Sequence, residues 1–502
     1  MNLKRLYFKI SLSLCFLGFG VNVYSQTSSK IISAKDSIAS CTHFKKGYSL
    51  FTKKDFQNAK YELDTAILLY NKRSEYFALR ALTLSKFSKE DLALLDFNTA
   101  IELDSKTSGY YIDRSSLLIN KKNFKLAIID LESAKKIDSL KPSLYKNYGR
   151  IYKEQGDNKT ALIYFNRAIQ LNAKDPSFYW QRAETYYNLL QDSLALMDIE
   201  KGIALKPNSI DSYYSWAIKI TLRLQKYEQL VSYATKYLTI KPNDCFVELC
   251  LGQAYTELEK HQDAITVLNN IETHCKGEKE FYKMYYFRAM SKIALNDFKG
   301  ADNDIETGIK LIPPTTPDFI YGFYDLRVEV YMHFGKLKEA KNDAEAILKQ
   351  MPTHLKSIIA LGTMELKNKN YANAIDYFNK AIGLVPELAV AYAERGDAEM
   401  SLQDYESAKK DFIKSLSLKE NPFRDRAYKG IIEVYEIEKD LGKAFLYVNK
   451  AIEEFSSDSD FYLTRGKLYV IAKENNAACA DFKMAKQLGN AEASRLYKNG
   501  CK

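Results

Sequence analysis

The stretch YKNYGRIYKEQGDNKTALIYFNRAIQLNAKDP, residues 145–176, decides the fold because its pattern is repeated along most of the chain. Apolar residues recur in it at helical spacing over two segments of about a dozen residues each, which indicates two consecutive helices. Gly149, Ala161 and Ala168 are small, and Phe165 follows Ala161 by four positions. Small side chains let two helices approach closely and an aromatic ring fills the remaining space, so the stretch predicts a helical hairpin.

The position equivalent to Ala161, called the anchor below, recurs thirteen times. Most intervals between consecutive anchors are 34 residues, and the others are 35 to 39 residues. A hairpin that recurs at this period predicts an array in which each copy buries its apolar face against the next one. The anchors are Ala59, Ala93, Ala127, Ala161, Ala195, Leu230, Ala264, Ala301, Ala340, Ala374, Ala408, Ala444 and Ala478.

A small residue, a tyrosine three residues on, an alanine, an aromatic ring and a second alanine stand at fixed offsets, and this order resembles the tetratricopeptide repeat. The resemblance covers about residues 40–487 and is close in residues 145–176. It implies an all-α fold, an α-solenoid of antiparallel helix pairs that form a right-handed superhelix. It also implies an inner groove lined by the first helix of each pair, where ligands of this family usually lie.

The first 25 residues differ in composition from the rest of the chain. The basic segment MNLKRLYFK precedes an apolar run, and VNVYS carries Val and Ser where a signal peptidase would cut. We therefore expect a secretory signal peptide, a mature start at Gln26 and a periplasmic or extracellular location, and an uncleaved N-terminal anchor is the alternative. No other stretch is expected to span a membrane. Without the signal the chain has 70 basic and 63 acidic residues, a weak bias that does not indicate nucleic acid.

The remaining segments follow from the repeat boundaries. We expect a linker at residues 26–39, repeats one to eight at 40–312, repeats nine to thirteen at 318–487, and a capping helix at 488–502. The longer turns HCKGEKE at 274–280 and PPTTPDF at 313–319 either divide the array into two superhelical segments or are surface loops.

Opposite charges recur at two fixed positions of the repeat. An arginine 13 residues before the anchor occurs together with an aspartate three residues after it, and both are absent together in repeats such as that of Tyr148 and Tyr164. A desolvated charge needs its partner, so we expect structural ion pairs between the two helices of a hairpin rather than an active site. The pairs are Arg80 with Asp96, Arg114 with Asp130, Arg182 with Asp198, Arg288 with Asp304, Arg327 with Asp343, Arg395 with Asp411 and Arg465 with Asp481, and the first repeat has Lys46 with Glu62.

The histidines give no positive sign of a metal site. The five histidines lack ligand spacing and no nucleotide-binding or hydrolase motif occurs, so we expect no enzyme activity, no cofactor and no metal. Cys479 and Cys501 are placed for a disulfide that would fasten the capping helix. For Cys275, a disulfide with Cys245 or Cys250 and reduced thiols are both open.

The groove offsets of the family place a set of basic and aromatic side chains in repeats four to six, which suits an extended peptide with carboxylates. A more apolar stretch follows in repeats eight and nine, and Asp397, Glu433 and Glu436 make the groove more acidic farther on. The candidate partner-binding residues are Lys146, Arg150, Lys153, Trp180, Tyr187, Lys219, Arg223, Tyr286 and Met290.

These patterns favour a non-catalytic scaffold or adaptor of the cell envelope that binds protein or peptide partners in the groove. One alternative is a glycan- or peptidoglycan-binding component that uses Trp180 and Tyr286 as stacking platforms. Ordinary solvated helix positions are the other. The arrangement of Lys and Asn that this family uses to clamp carboxylates of chaperone tails is not complete, so we do not expect that ligand.

Overall fold

The computed structural model describes residues 34–205, 210–275, 277, 280–419 and 421–501. The predicted signal peptide at 1–25 and most of the predicted linker at 26–39 lie outside the described residues. The first helix begins at Ala34 and so includes the end of that linker. Helices joined by short turns account for the described residues, with no strand among them, which confirms the all-α fold class.

The residues up to Cys250 form one compact unit. Within it, each odd-numbered helix packs against the even-numbered helix that follows, and each even-numbered helix packs against the next odd-numbered one. The helices are α1 (Ala34–Thr52), α2 (Phe56–Leu69), α3 (Ser74–Ser85), α4 (Glu90–Leu103), α5 (Ser108–Asn120), α6 (Phe124–Ile137), α7 (Pro142–Glu154), α8 (Asn158–Leu171), α9 (Pro176–Asn188), α10 (Asp192–Leu205), α11 (Ile210–Arg223) and α12 (Tyr227–Ile240).

The residues from Leu251 onward form the second compact unit, and the boundary falls within α13 (Cys245–Glu257). The predicted division of the array at residues 313–317 is a different boundary and stays a prediction. The further helices are α14 (His261–His274), α15 (Tyr282–Ala294), α16 (Phe298–Leu311), α17 (Ile320–His333), α18 (Leu337–Gln350), α19 (Leu355–Lys367), α20 (Tyr371–Leu384), α21 (Ala389–Ser401), α22 (Tyr405–Ser417), α23 (Arg424–Ile437), α24 (Leu441–Glu454), α25 (Ser459–Ile471), α26 (Asn475–Gln487) and α27 (Ala491–Gly500).

One turn conformation closes all thirteen hairpins. The residue five positions before each anchor has a left-handed backbone, although it is glycine only at Gly156 and Gly335. The next residue often caps the second helix, as Asp157 does by accepting a hydrogen bond from the backbone N–H of Thr160 at 3.0 Å. The left-handed residues are Lys54, Ser88, Lys122, Gly156, Leu190, Gln225, Glu259, Asn296, Gly335, Lys369, Gln403, Lys439 and Lys473.

The core is a series of small clusters that neighbouring hairpins share. Phe97 of α4 is fully buried and belongs to one cluster with Phe77 of α3 and Tyr110 of α5, which opens the next hairpin. Inside a hairpin the helices are close because of the small residues, since a Cβ added at Gly149 would lie 2.5 Å from Cε1 of Phe165. Each hairpin therefore depends on its neighbour for burial, as expected of a repeat array.

Candidate functional site

The arginine and aspartate of each predicted pair meet across their hairpin. In Arg80 and Asp96, Nε donates to Oδ2 at 2.8 Å and Nη2 donates to Oδ1 at 2.7 Å. The same two-bond geometry joins the other six predicted pairs, and the aspartate side chains of all seven are between 3% and 9% exposed. In the first repeat, Lys46 Nζ lies 2.5 Å from Glu62 Oε1. These pairs connect the two helices of a hairpin, and each carboxylate in them is bound by the arginine or lysine of the other helix.

The pairs have a third member that the sequence analysis missed. The Nη1 atom of Arg114 donates to Asn98 Oδ1 at 2.7 Å, and Asn98 belongs to the second helix of the preceding hairpin. Equivalent bonds reach Asp64, Asn166, Asn269, Glu306, Asn379 and Asn449. All seven acceptors stand five residues after an anchor, so the recurrence of Asp, Asn or Glu at that offset was the available signal.

Where the charges are absent, aromatic and aliphatic side chains occupy the two positions. Tyr148 and Tyr164 stack with ring centroids 5.1 Å apart. The hydroxyl group of Tyr148 donates to Glu132 Oε1 at 2.5 Å, and Glu132 stands at the acceptor offset of the preceding hairpin. The inter-hairpin hydrogen bond is therefore kept in this hairpin without a buried charge.

Three of the predicted groove residues line one cavity of about 400 Å³ in the first unit. Lys146 and Arg150 come from α7 and Trp180 from α9, the first helices of repeats four and five. The remaining wall consists of Ser177, Gln181, Ser212 and Tyr213. The cavity thus combines two cations, two aromatic rings and short polar groups.

Burial disfavours the charge of both cations in this cavity. It lowers the pKa of Lys146, and the neighbouring Arg150 lowers that pKa further. Burial likewise lowers the pKa of Arg150, whose guanidinium donates to the neutral Ser116 Oγ at 3.0 Å and Asn120 Oδ1 at 2.8 Å. Burial raises the pKa of Asp113 on α5 to about 7, and the positive charge of Lys146 opposes that shift. Nearby carboxylates oppose these shifts but are outweighed by burial, so an anion that enters the cavity would meet positive charge that is only partly compensated.

The other groove candidates of the first unit are engaged within the protein. Lys153 Nζ lies 2.6 Å from Glu184 Oε2, and Arg223 pairs with Asp192. The guanidinium of Arg223 also lies 3.5 Å from the ring centroid of Tyr187. Lys219 Nζ lies 5.9 Å from the Trp216 ring and 5.8 Å from the Phe246 ring. Apart from the contact between Lys219 and Trp216, which lies within α11, these contacts join neighbouring repeats, so most of this set stabilises the stack.

The candidates of the second unit form two further groups. The Tyr286 ring contacts Phe319 and Phe323 edge to face at 5.2 and 5.5 Å, and Met290 is half-buried nearby on the same helix. Asp397 pairs with Arg426, and burial raises the pKa of Asp397 to about 6. Burial also raises the pKa of Glu436.

The C-terminal helix is fastened as its composition suggested. Cys479 of α26 and Cys501 form a disulfide with their Cα atoms 5.5 Å apart. Leu496 and Tyr497 of α27 pack on the cluster that contains Phe482. Among the described helices, none is sufficiently long and apolar to cross a bilayer.

The thirteen matching hairpins define a helical-repeat protein of the α-solenoid class. A family model described as "TPR repeat" matches residues 149–189, and one described as "Tetratricopeptide repeat" matches residues 355–387 and 389–422. With the hairpin geometry above, these matches show that the chain contains tetratricopeptide repeats. Such a protein is consistent with a scaffold for protein interactions.

Several known proteins are similar to this chain at low sequence identity. The chain is 27% identical over 135 residues to the small glutamine-rich tetratricopeptide repeat-containing protein 2 of Saccharomyces cerevisiae, a match that covers 21% of this chain and 39% of that protein. A tetratricopeptide repeat protein from Parabacteroides merdae is 17% identical, with 55% of this chain and 98% of that chain covered and a TM-score of 0.38. The APC/C hetero-tetramer Cut9–Hcn1 is 12% identical, with 92% of this chain and 96% of that chain covered and a TM-score of 0.42. The chain spans less than half of the curated relative.

Proposed function

We propose that the chain is a non-catalytic scaffold that binds a protein partner through an extended, carboxylate-bearing peptide segment. The segment lies in the cavity between α7, α9 and α11. The observation that carries the proposal is the presence of Lys146, Arg150 and Trp180 in one cavity of about 400 Å³. That volume lies within the range of about 300–1,000 Å³ that is typical of ligand sites.

The electrostatics of the cavity favour a carboxylate. Both cations are disfavoured by burial, and the donors of Arg150 reach only neutral oxygens of Ser116 and Asn120. A bound carboxylate would accept charge-assisted hydrogen bonds and would return the pKa of Lys146 toward its ordinary value.

The rest of the wall favours a peptide over a sugar. Ser177, Gln181 and Ser212 offer short polar groups that can bond to a peptide backbone. The Trp180 ring already meets Tyr213 and Trp216 edge to face, with centroids 4.9 and 5.8 Å away. A sugar that stacks on Trp180 would have to share that ring with both neighbours.

In-cell photocrosslinking tests the proposal. A photoreactive amino acid replaces Gln181 in the cavity wall, and the matched control replaces Gln170, which is exposed on the second helix of the preceding repeat. We expect Gln181 to capture a specific protein through an acidic segment and Gln170 not to capture it. A synthetic peptide of the captured segment should then bind the purified chain, and Arg150→Gln should weaken that binding about 10- to 100-fold by removing a charge-assisted hydrogen bond.

Two results would contradict the proposal. One is equal capture of the same partner protein, as distinct from a second copy of this chain, from Gln181 and Gln170. The other is a change of Trp180 fluorescence on addition of peptidoglycan fragments but not of the acidic peptide, which would identify a glycan site instead.

The proposal includes export to the cell envelope. It is supported by the basic and apolar composition of residues 1–25 and by the disulfide between Cys479 and Cys501, which suits an oxidising compartment. Peptide mass mapping of the protein from fractionated cells should find a mature N-terminus at Gln26 in the soluble envelope fraction. A retained N-terminus in the membrane fraction would indicate an anchor, and recovery from the cytoplasm would contradict export.

A further inference from the structure

Exposed apolar side chains form a regular row on the second helices of the first unit. The residue two positions after the anchor is large and apolar in each of the first five repeats: Tyr61, Leu95, Ile129, Ile163 and Met197, called the apolar ladder below. These five side chains are between 60% and 69% exposed. They recur at the exact period of the array and lie on different helices from Lys146, Arg150 and Trp180 of the cavity.

The hairpin itself does not require an apolar residue at this position. In the second unit the equivalent residues are mostly polar and equally exposed, as in Thr266, Asn303, Asn342, Asp376 and Lys410. Leu446 is a large apolar exception in the second unit. Since the same fold accepts Asn or Asp at this position, an apolar residue in each of five consecutive repeats points to a surface that is covered in the working protein.

The ladder is widened by a second apolar row one helical turn earlier. Leu92, Leu126 and Leu194 precede their ladder residues by three positions and are 43% to 50% exposed. Leu68, seven residues after Tyr61, is 86% exposed. With about 100 Å² of exposed side chain each, the nine residues offer on the order of 900 Å², close to the roughly 800 Å² per partner of a stable protein interface.

The charges of repeats two and four are complementary when two copies face each other with the order of repeats reversed, whereas α6 between them carries the exposed Lys135 and Lys136. The second helix of repeat two, α4, carries Glu90, Asp91 and Glu102 and no basic residue. The second helix of repeat four, α8, carries Lys159 and Arg167 and no acidic residue. A two-fold axis that runs along α6 of repeat three brings α4 of one chain against α8 of another, and it brings repeat one against repeat five.

We propose that the apolar ladder is a homodimer interface that a second copy of this chain covers. The two-fold axis passes beside Ile129, so Ile129 meets its own copy and Leu95 meets Ile163 of the other copy. Asp91 and Lys159 stand at the same offset, two residues before their anchors, and so pair across the interface at equal height. Asp91 accepts a hydrogen bond from Lys121 Nζ at 2.6 Å, yet its side chain remains 85% exposed and can accept another.

Sedimentation equilibrium of the purified protein is the first test, and we expect a dimer. Ile129→Asn should raise the dimer dissociation constant at least about 100-fold, because a two-fold interface loses the residue twice. Leu446→Asn is the matched control, since Leu446 stands at the same position of the repeat in the second unit, is 50% exposed, and should leave the constant unchanged. A protein that stays monomeric at all accessible concentrations, or an equal effect of the two substitutions, overturns the proposal.

Lysine substitutions test the position of the axis. Lys125 stands at the same offset as Lys159 and faces its own copy across the axis, so Lys125→Gln should strengthen the dimer, whereas Lys159→Gln should weaken it. Each change should be about two- to fivefold at low salt, as expected of exposed charges. A shift of the same sign for both variants would place the axis elsewhere and refute this interface.

Cysteine substitution gives a geometric test that does not depend on affinity. Under mild oxidation, Ile129→Cys should form a covalent dimer by itself, and a mixture of Leu95→Cys with Ile163→Cys should cross-link more than either variant alone. Asn342→Cys in the second unit should not cross-link. Vesicles of phosphatidylglycerol and phosphatidylethanolamine probe the other occupant of such a face: if the protein floats with them and Ile129→Asn abolishes this, the ladder binds lipid and the dimer proposal is wrong.

Discussion

Replacement of Arg395 by leucine tests whether the charge pairs act as units. In the native hairpin Arg395 Nε and Nη2 donate to Asp411 at 2.6 and 2.8 Å, and Nη1 donates to Asn379 of the preceding hairpin at 2.5 Å. Arg395→Leu leaves the Asp411 carboxylate, 8% exposed, without its cation. Such removal of one partner from a buried pair costs about 3–5 kcal/mol, and we expect about 3 kcal/mol because the Arg395 side chain is 20% exposed and water can enter.

The loss of stability should be smaller for Asp411→Tyr alone, and smaller still for the double variant Arg395→Leu with Asp411→Tyr. Asp411→Tyr leaves Arg395 with Asn379 and a path to solvent, so its cost should be about 1–2 kcal/mol. The double variant has the combination of the preceding hairpin, where Leu361 and Tyr377 stand at the same two positions and Leu361 is buried. It should lose only about 1 kcal/mol at neutral pH, because no desolvated charge is left alone. The neighbouring Glu399 also loses Arg395, but burial raises the pKa of Glu399 to about 8, so its carboxyl group is mostly neutral.

The measurement must resolve one hairpin, because repeat arrays do not unfold in a single step. Hydrogen exchange of peptides from residues 389–417, followed by mass spectrometry, reports the local free energy of opening. The converse variant, Leu361→Arg with Tyr377→Asp, is a control that should also be tolerated, since Glu345 stands at the acceptor offset before it. If the double variant at Arg395 and Asp411 loses the sum of the two single costs, about 4–5 kcal/mol, the pairs are independent charges and the reasoning fails.

Two further predictions concern single residues of the first unit. Asp113→Asn should raise the unfolding free energy at pH 8 by about 1–2 kcal/mol but not at pH 4. Burial raises the pKa of Asp113 to about 7 in the native protein, so native stability is lost as the pH rises from the pKa of Asp113 in the unfolded chain toward 7. Equal shifts of the urea midpoint at both pH values would contradict this prediction. Leu190→Gly should stabilise the hairpin by about 1 kcal/mol, because Leu190 has a left-handed backbone, with φ 59°, at the turn position that Gly156 occupies in the preceding repeat. Slower hydrogen exchange in this hairpin would confirm the prediction. Faster exchange would show that the Leu190 side chain contributes more than its backbone strain costs.

The periodic part of the structure could be predicted because thirteen copies average out local differences. The partner of Arg80 could be found at Asp96 because both change together in every copy. The link from Arg114 to Asn98 has the same recurrence but joins two repeats, and it becomes visible only when the offset is counted across the repeat boundary. Contacts inside one hairpin can thus be inferred from the sequence, whereas contacts between neighbouring hairpins also depend on the distance at which the hairpins stack.

The candidate groove was less predictable for the same reason. Offsets taken from the family identify which side chains face the groove, but they do not tell whether a neighbouring repeat supplies a counter-charge. Lys153 forms an ion pair with Glu184 and Arg223 forms one with Asp192, whereas Arg150 donates hydrogen bonds only to neutral groups. The difference depends on single residues of the adjacent helix, which vary from copy to copy and leave no periodic trace.

The two surfaces proposed here use the two helices of the hairpin separately. Cavity residues such as Lys146 and Trp180 lie on first helices, and ladder residues such as Leu95 and Ile163 lie on second helices. The buried pairs that join the helices, such as Arg182 with Asp198, use neither set. Because the residues that hold a hairpin together are separate from those on its two faces, substitution of one face should leave the other face and the fold intact. A dimer built on the ladder would then present two cavities, and a partner with two acidic segments would bind it more tightly than the two segments bind separately.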